Sequence, residues 1–496
     1  MYPIIHLVCC SFCRYFDHIK EKYKIDDEMF ELFDFWLNAC ALVGILPGII
    51  INKLDCKVSA IIGGLCIVAS MIMVTVMVST DHEHIKENPV WVLGIICFLA
   101  GQGSCLVLLS SMQALMNAQT IQASHVITTC CFAYYLGADS FIESIKDGLY
   151  PTETFTNFVF ILAINALVLT FLNGFIITDE DDASGFFGKA ASLTKGIIYK
   201  KTNYMHLFIL LVYTTILVMS FYAGGLNDSN VSIILLCCVL LNWGVPIFLL
   251  CLLDPTKIKT LVGEPTDIEK KLSNKGVDKT FSEAALRIDF WYTCIVAMFL
   301  IGTARIFDES AEVLGMGDDD REDLIGQTYS VYEVIGAVSV GSALTFFRSK
   351  VRPSLMIIFC IIIGATGQIS MIWPATFSKW IDPIFPTVAA ASFAEGGLMV
   401  SIASFCHEEY GTDQIGILIG TMMSFGAAGL YALNEVFFPN VFEWYSEENG
   451  AGQKVLKKYG QWNVTMFSVI LTLYIISLVL AIISHRSVVR REKVES

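Results

Sequence analysis

Asp139, Glu143, Arg305, Glu333 and Glu395 stand within long apolar stretches of the sequence. A charged group at the centre of a bilayer costs roughly 2.5–3.5 kcal/mol on insertion scales, so each needs a compensating partner or a use. Asp139 and Glu143 are four residues apart and share one helix face. Arg305 is followed by Asp308 and Glu309, and it can pair with either of them or with an anionic group of a substrate. Glu333 and Glu395 lie in mid-stretch with no basic residue within helical reach, Glu395 beside Gly396 and Gly397. A carboxylate withdrawn from water holds its proton more tightly and can exchange it near neutral pH, which makes these two the candidates for proton coupling. Glu435, Asp308 and Glu309 lie close to loops and read as interfacial. Gln102, Ser104, Gln113 and Asn117 share one stretch, where they either line the same polar cavity or hydrogen-bond neighbouring helices.

The elements that must position these groups are helices crossing a membrane. Of 496 residues, 55% are hydrophobic and 16% are charged, a deficit of charge for a surface facing water. A hydrocarbon core of about 30 Å takes about 20 apolar residues of helix, and about thirteen stretches qualify. They run from Met29 to Ile51, Val58 to Ser79, Val90 to Leu115, Val126 to Ile145, Phe155 to Ile177, Tyr204 to Gly224 and Val231 to Leu253. The later ones are Ala284 to Phe307, Leu324 to Phe347, Pro353 to Trp373, Pro383 to Cys406, Gln414 to Phe437 and Val464 to Ser484. Met1 to Phe16 reads as the short or truncated remainder of one more, giving an expected all-α protein of about fourteen transmembrane helices.

Basic loops resist translocation, so lysine and arginine set the orientation. With fourteen helices both ends share one side, and that side receives Lys53, Lys57, the lysines of 189–201 and 257–279, Arg348, Lys350, Arg352 and the C-terminal Arg486, Arg490, Arg491 and Lys493. Both termini are therefore expected in the cytoplasm, of a protein in the plasma membrane or an endomembrane. A net charge of −15 excludes a nucleic-acid partner, and the acidic run Asp318–Asp323 reads as a solvated loop. Most of the sixteen cysteines lie inside apolar helices and act as small apolar residues; Cys9, Cys10 and Cys13 are not taken as a metal site. No cofactor or metal is expected.

Two polar segments, Thr178–Asn203 and Asp254–Glu283, flank two helices. The parse is a six-helix bundle over 1–177, linkers with an inserted helix pair over 178–283, and a second six-helix bundle with its tail over 284–496. The halves share one feature. Gly44 and Gly48 precede a basic turn with Asn52, Lys53, Asp55 and Lys57, while Gly336 and Gly341 precede Arg348, Lys350 and Arg352. Glycine lets helix backbones approach closely, and a basic turn beside helix C-termini can latch them on the cytoplasmic face, the plainer alternative being an ordinary basic loop.

These residues resemble the major facilitator superfamily and, within it, the nodulin-like branch. Gly48 to Asp55 is similar to the superfamily signature of glycine, three residues, aspartate, arginine, one residue and glycine, with Asn52 in place of the acid and Asp55 in place of the last glycine. Gly101–Ser104, Met112–Asn117 and Tyr135–Asp139 resemble the fourth and fifth helices of nodulin-like members, with Ser124 and His125 where an arginine and glycine are usual. Tyr332–Gly336 and His407–Gly411 resemble two later stretches, and the inserted pair fits the same branch. The resemblance implies two six-helix bundles around a central cavity that opens alternately to either side.

The expected function is secondary active or facilitative transport of a small solute by a monomer, with protons as a possible coupling ion. The alternative is a non-transporting receptor or scaffold with a transporter fold. An enzyme is not expected: Asp81, His82, Glu83 and His84 lack the spacing that puts two imidazoles on one helix face, and no Walker-type glycine loop is present. Epitope tags inserted into Thr178–Asn203 and into Asp254–Glu283 should both be inaccessible from outside intact cells. Surface labelling of either tag would overturn the fourteen-helix parse.

Overall fold

The computed structural model describes residues 19, 22–25, 33, 36–37, 39–79, 89–117, 121–136, 155–176, 198–223, 230–238, 241, 279–309, 311, 314, 319–347, 351–372, 382–448, 454–456 and 459–495. Helices α1 to α5 are Ile45–Ser79, Pro89–Asn117, Ile121–Leu136, Phe155–Ile176 and Ile198–Ala223. The short α6 is Phe281–Ala285, and α7 to α10 are Ile288–Glu309, Asp319–Phe346, Pro353–Ile372 and Ile384–Tyr410. Next come α11, Ile415–Leu430, a π-helical turn, Tyr431–Phe437, and α12, Phe438–Tyr445. A small antiparallel hairpin of β1, Ser446–Glu448, and β2, Lys454–Leu456, leads into α13, Tyr459–Glu495.

Among the described residues seven helical segments are long and apolar enough to cross a membrane: Ile45–Ser79, Val90–Ala114, Ile288–Phe307, Pro353–Ile372, Ile384–Tyr410, Ile415–Tyr445 and Gln461–Arg491. The protein is thus an all-α, multi-pass integral membrane protein. Helix α8 matches the expected span from Leu324, but its first turns are acidic and Glu333 sits at its middle, which lowers its hydropathy. The span expected from Ala284 is broken by a turn at 286–287, between α6 and α7.

The chain divides into two compact units. Unit 1 comprises 1–281 with 406–421, and unit 2 comprises 282–405 with 422–496. In unit 1, α1 packs on α2 and α4 through Ile67, Met71 and Val74 on one side and Leu106, Val107, Val159 and Ala166 on the other. The opposite face of α1 exposes Leu65, Ile72 and Val76, so the helix is apolar all round, as a lipid-facing helix must be. Gly63 and Gly103 set the distance between α1 and α2: a Cβ on either would lie 2.7 Å from the other's carbonyl oxygen. In unit 2, α13 packs against both α7 and α9.

The expected turn between the spans ending at Ile51 and starting at Val58 is compressed into a single kink inside α1, at Asp55. There φ is 66° and ψ is 170°, a region that essentially only glycine occupies without strain. Asp55 stands where the resemblance places a glycine, and its carboxylate offsets the strain, Oδ1 accepting a hydrogen bond from the Val58 N–H at 3.0 Å as an N-cap. Removing the cap while keeping a Cβ should therefore be worse than removing both. Asp55→Ala is expected to lower unfolding stability by about 1 kcal/mol, and Asp55→Gly to match or exceed the wild type, because it sheds about 1–3 kcal/mol of backbone strain. Thermal unfolding in detergent decides it: a glycine variant less stable than the alanine variant would show that the kink is unstrained.

Candidate functional site

Arg305, Glu333 and Glu395 come together in unit 2, from three different helices. Arg305 is on α7, Glu333 on α8 and Glu395 on α10. Arg305 Nε donates to Glu395 Oε1 at 3.0 Å, and Nη2 donates to Glu333 Oε1 at 3.5 Å. Tyr329, one turn before Glu333 on α8, donates its hydroxyl to Glu395 Oε2, and its ring lies 5.6 Å from the Arg305 guanidinium carbon. Both oxygens of Glu395 are thus held by short contacts, whereas Glu333 shares the guanidinium at the limit of a hydrogen bond. Glu395 is fully buried, Glu333 is 2% exposed, and the Arg305 side chain is 13% exposed.

Backbone packing brings the two carboxylates together. Gly336, one turn after Glu333, lies against the backbone of Phe393, and Gly396, next to Glu395, lies against the carbonyl of Glu333. Helices α8 and α10 therefore touch main chain to main chain at the level of the two carboxylates. A side chain at either glycine would push them apart and separate Arg305 from one of its partners.

Two carboxylates share one guanidinium in a site withdrawn from water, where like charges are screened poorly. The sequence left Arg305 free to pair with Asp308, Glu309 or a substrate; the geometry gives it Glu395 and Glu333. Tyr329 carried no signal of its own, since an aromatic residue in an apolar stretch is ordinary, and its role depends on the α8–α10 register.

The remaining candidates for the solute and proton pathway lie in unit 1 or outside the described residues. Gln102 Nε2 donates to the carbonyls of Cys40 and Val43 at 2.6 and 2.9 Å, so its amide joins helices. Gln113 Nε2 donates to Asp413 O at 2.9 Å while its Oε1 accepts from the Gly416 N–H at 3.1 Å. Ser104 is fully buried. The side chain of Asn117, and Asp139, Glu143 and Arg348 entirely, lie outside the described residues.

Of the expected gating turn, Asn52, Lys53 and Asp55 are exposed and Arg352 is half-buried. Gly48 lies against the backbone of 416–417: a Cβ there would lie 2.5 Å from Ile417 Cα. Around that contact the segment 406–421 is fastened by Gln113, by His125 Nε2 at 3.3 Å from Glu408 Oε1, by Lys279 Nζ donating to Glu409 O at 2.9 Å, and by Gln414 Oε1 accepting from the Phe281 N–H at 2.6 Å. Most of these bonds end on main-chain atoms, which have no sequence signature.

No protein-family model and no curated protein matches the sequence. Solved structures match along nearly the whole chain. One is the major facilitator superfamily proton:xylose symporter XylE bound to 6-bromo-6-deoxy-D-glucose, with a TM-score of 0.56 and 11% identity over 96% of this chain and 93% of that one. A double-tryptophan variant of XylE matches with a TM-score of 0.54 and 11% identity over 97% and 92% of the two chains. At this identity the likeness defines the fold: the chain has the major facilitator fold, all-α and polytopic.

Gly48→Leu should force 416–417 away from α1, with overpacking that costs about 1–3 kcal/mol. Membrane insertion and yield should survive, and the cross-linking efficiency of a cysteine pair placed at 48-adjacent and 417-adjacent positions should fall. An unchanged efficiency would reduce this contact to incidental packing.

Proposed function

We propose that the protein is a secondary transporter of a small solute that works by alternating access and couples to protons through Glu333. One observation supports this reading above the others: a buried cluster brings two carboxylates, Glu333 and Glu395, to one arginine. A proton on Glu333 removes the repulsion between the two. Its loss leaves a charge that favours any arrangement exposing Glu333 to water, so protonation and accessibility are linked, as coupled transport requires. Glu395, bonded to Arg305 and Tyr329, is the fixed partner that keeps the guanidinium in place.

The major facilitator fold supports the transport reading, and the symporters that share it give proton coupling a precedent in the same architecture. Membership of the nodulin-like branch, the monomeric state and cytoplasmic termini complete the proposal, on the motifs and the lysine and arginine distribution described above.

The two glutamates should respond oppositely. Glu333→Gln removes one of the two like charges and keeps the shape, so stability should be retained or raised. In proteoliposomes screened with labelled monosaccharides, amino acids and nucleosides, this variant should exchange solute but not accumulate it under a pH gradient. Glu395→Gln weakens the firmest contact of Arg305, and its stability should fall by about 3 kcal/mol, the lower range for breaking a buried pair. Normal gradient-driven accumulation by Glu333→Gln would sink the coupling role.

A further inference from the structure

The end of α13 carries an arrangement that transport does not use. Along this helix the buried positions are Tyr474, Ser477, Ala481, Ser484 and Val488, in a regular three-and-four spacing. The opposite stripe exposes Ile475, Val479 and Ile483 and then, in the same register, Arg486 and Arg490. One continuous face thus changes from apolar to cationic within a single turn.

The change falls at the depth where a bilayer changes. Val464 to Ile483 is a run of about 30 Å at 1.5 Å per residue, the thickness of the hydrocarbon core. Arg486 lies about 4.5 Å beyond Ile483 and Arg490 about 10 Å beyond, spanning a headgroup layer of about 5–7 Å. Helical side chains tilt toward the N-terminus, which on α13 is back toward the membrane, so Arg490 also reaches into that layer.

This end of the helix is fixed rather than fraying. Ser354 Oγ on α9 and His485 Nδ1 are 2.8 Å apart. Arg491 forms a two-point ion pair with Asp289 on α7 at 2.6 and 2.8 Å, with the Asp289 side chain 1% exposed. Beside that pair Ile288 is 57% exposed and Trp291 is 37% exposed, an aliphatic and an indole side chain of the kind that settle at a membrane interface.

We propose that the C-terminal end of α13 is a docking site for anionic phospholipid headgroups of the adjacent leaflet, with Arg486 and Arg490 binding the phosphates. A guanidinium forks onto phosphate oxygens through two parallel hydrogen bonds, and the two arginines are four residues apart on one rigid face. The occupant is a lipid because the same face continues into an exposed apolar stripe that takes its acyl chains.

The test uses the full chain in phosphatidylcholine nanodiscs, titrated with phosphatidylserine and followed by the melting midpoint, with bound lipid counted by native mass spectrometry. Phosphatidylserine should raise the midpoint saturably. Each of R486Q and R490Q should weaken its apparent affinity about 5-fold, and the pair about 25-fold, at about 1 kcal/mol per arginine. R486K/R490K, which keeps the charge, should recover most of the loss, and this distinguishes lost binding from a damaged helix. Soluble glycerophosphoserine at the same concentration should have no effect. Unchanged affinity in R486Q/R490Q, or equal stabilisation by the soluble headgroup, would overturn the proposal.

Discussion

Unit 2 depends on keeping an arginine and two glutamates out of water. Each charge alone would cost several kcal/mol, and together they are tolerable only in one geometry, with Arg305 bridging Glu395 and Glu333. That geometry requires α8 and α10 to meet backbone to backbone, and hence glycine at 336 and 396. It also requires Tyr329 to face Glu395, which fixes the rotation of α8. Small residues, an aromatic and the helix register are thus consequences of a single electrostatic constraint.

Unit 1 is held by a different logic. Its polar side chains mostly bind main-chain atoms: Gln102 bonds the carbonyls of 40 and 43, Gln113 the peptides of 413 and 416, Lys279 the carbonyl of 409. Apart from the half-buried Lys279, these contacts carry no charge to neutralise, and they tolerate replacement of the partner's side chain. They suit a segment whose position matters more than its chemistry.

The difference explains what could be read in advance. Helices were legible because the bilayer imposes a length of about 20 apolar residues, and the elements found at Pro89, Phe155, Pro353 and Ile384 start within a residue or two of the stretches read from the sequence. Glu333 and Glu395 were legible because a carboxylate in mid-span is anomalous. Their joint use of Arg305 was not, since Arg305 and Glu395 are separated by 90 positions and only the packing of three helices brings them together. Gln113 was ambiguous in principle, because a glutamine that lines a cavity and one that clamps a backbone have the same sequence context. Asp55 shows the limit of motif comparison: the departure from glycine is real, yet the backbone keeps a glycine-like conformation and the new carboxylate becomes a cap.

Two ionic clusters of unit 2 differ in their exposure to water, and the difference bears on what each can do. Asp289 has two cations for one carboxylate, Arg491 bidentate and Arg287 at 3.8 Å, and Arg491 is 29% exposed, so water accommodates the excess. Nothing need change there for the cluster to persist, and it serves as a fixed joint between α7 and α13. The Arg305 cluster holds its two carboxylates at 0–3% exposure, where water does not screen their repulsion. The first cluster joins α7 to α13 and the second joins α7 to α8 and α10, so the two fasten opposite ends of α7 to different neighbours.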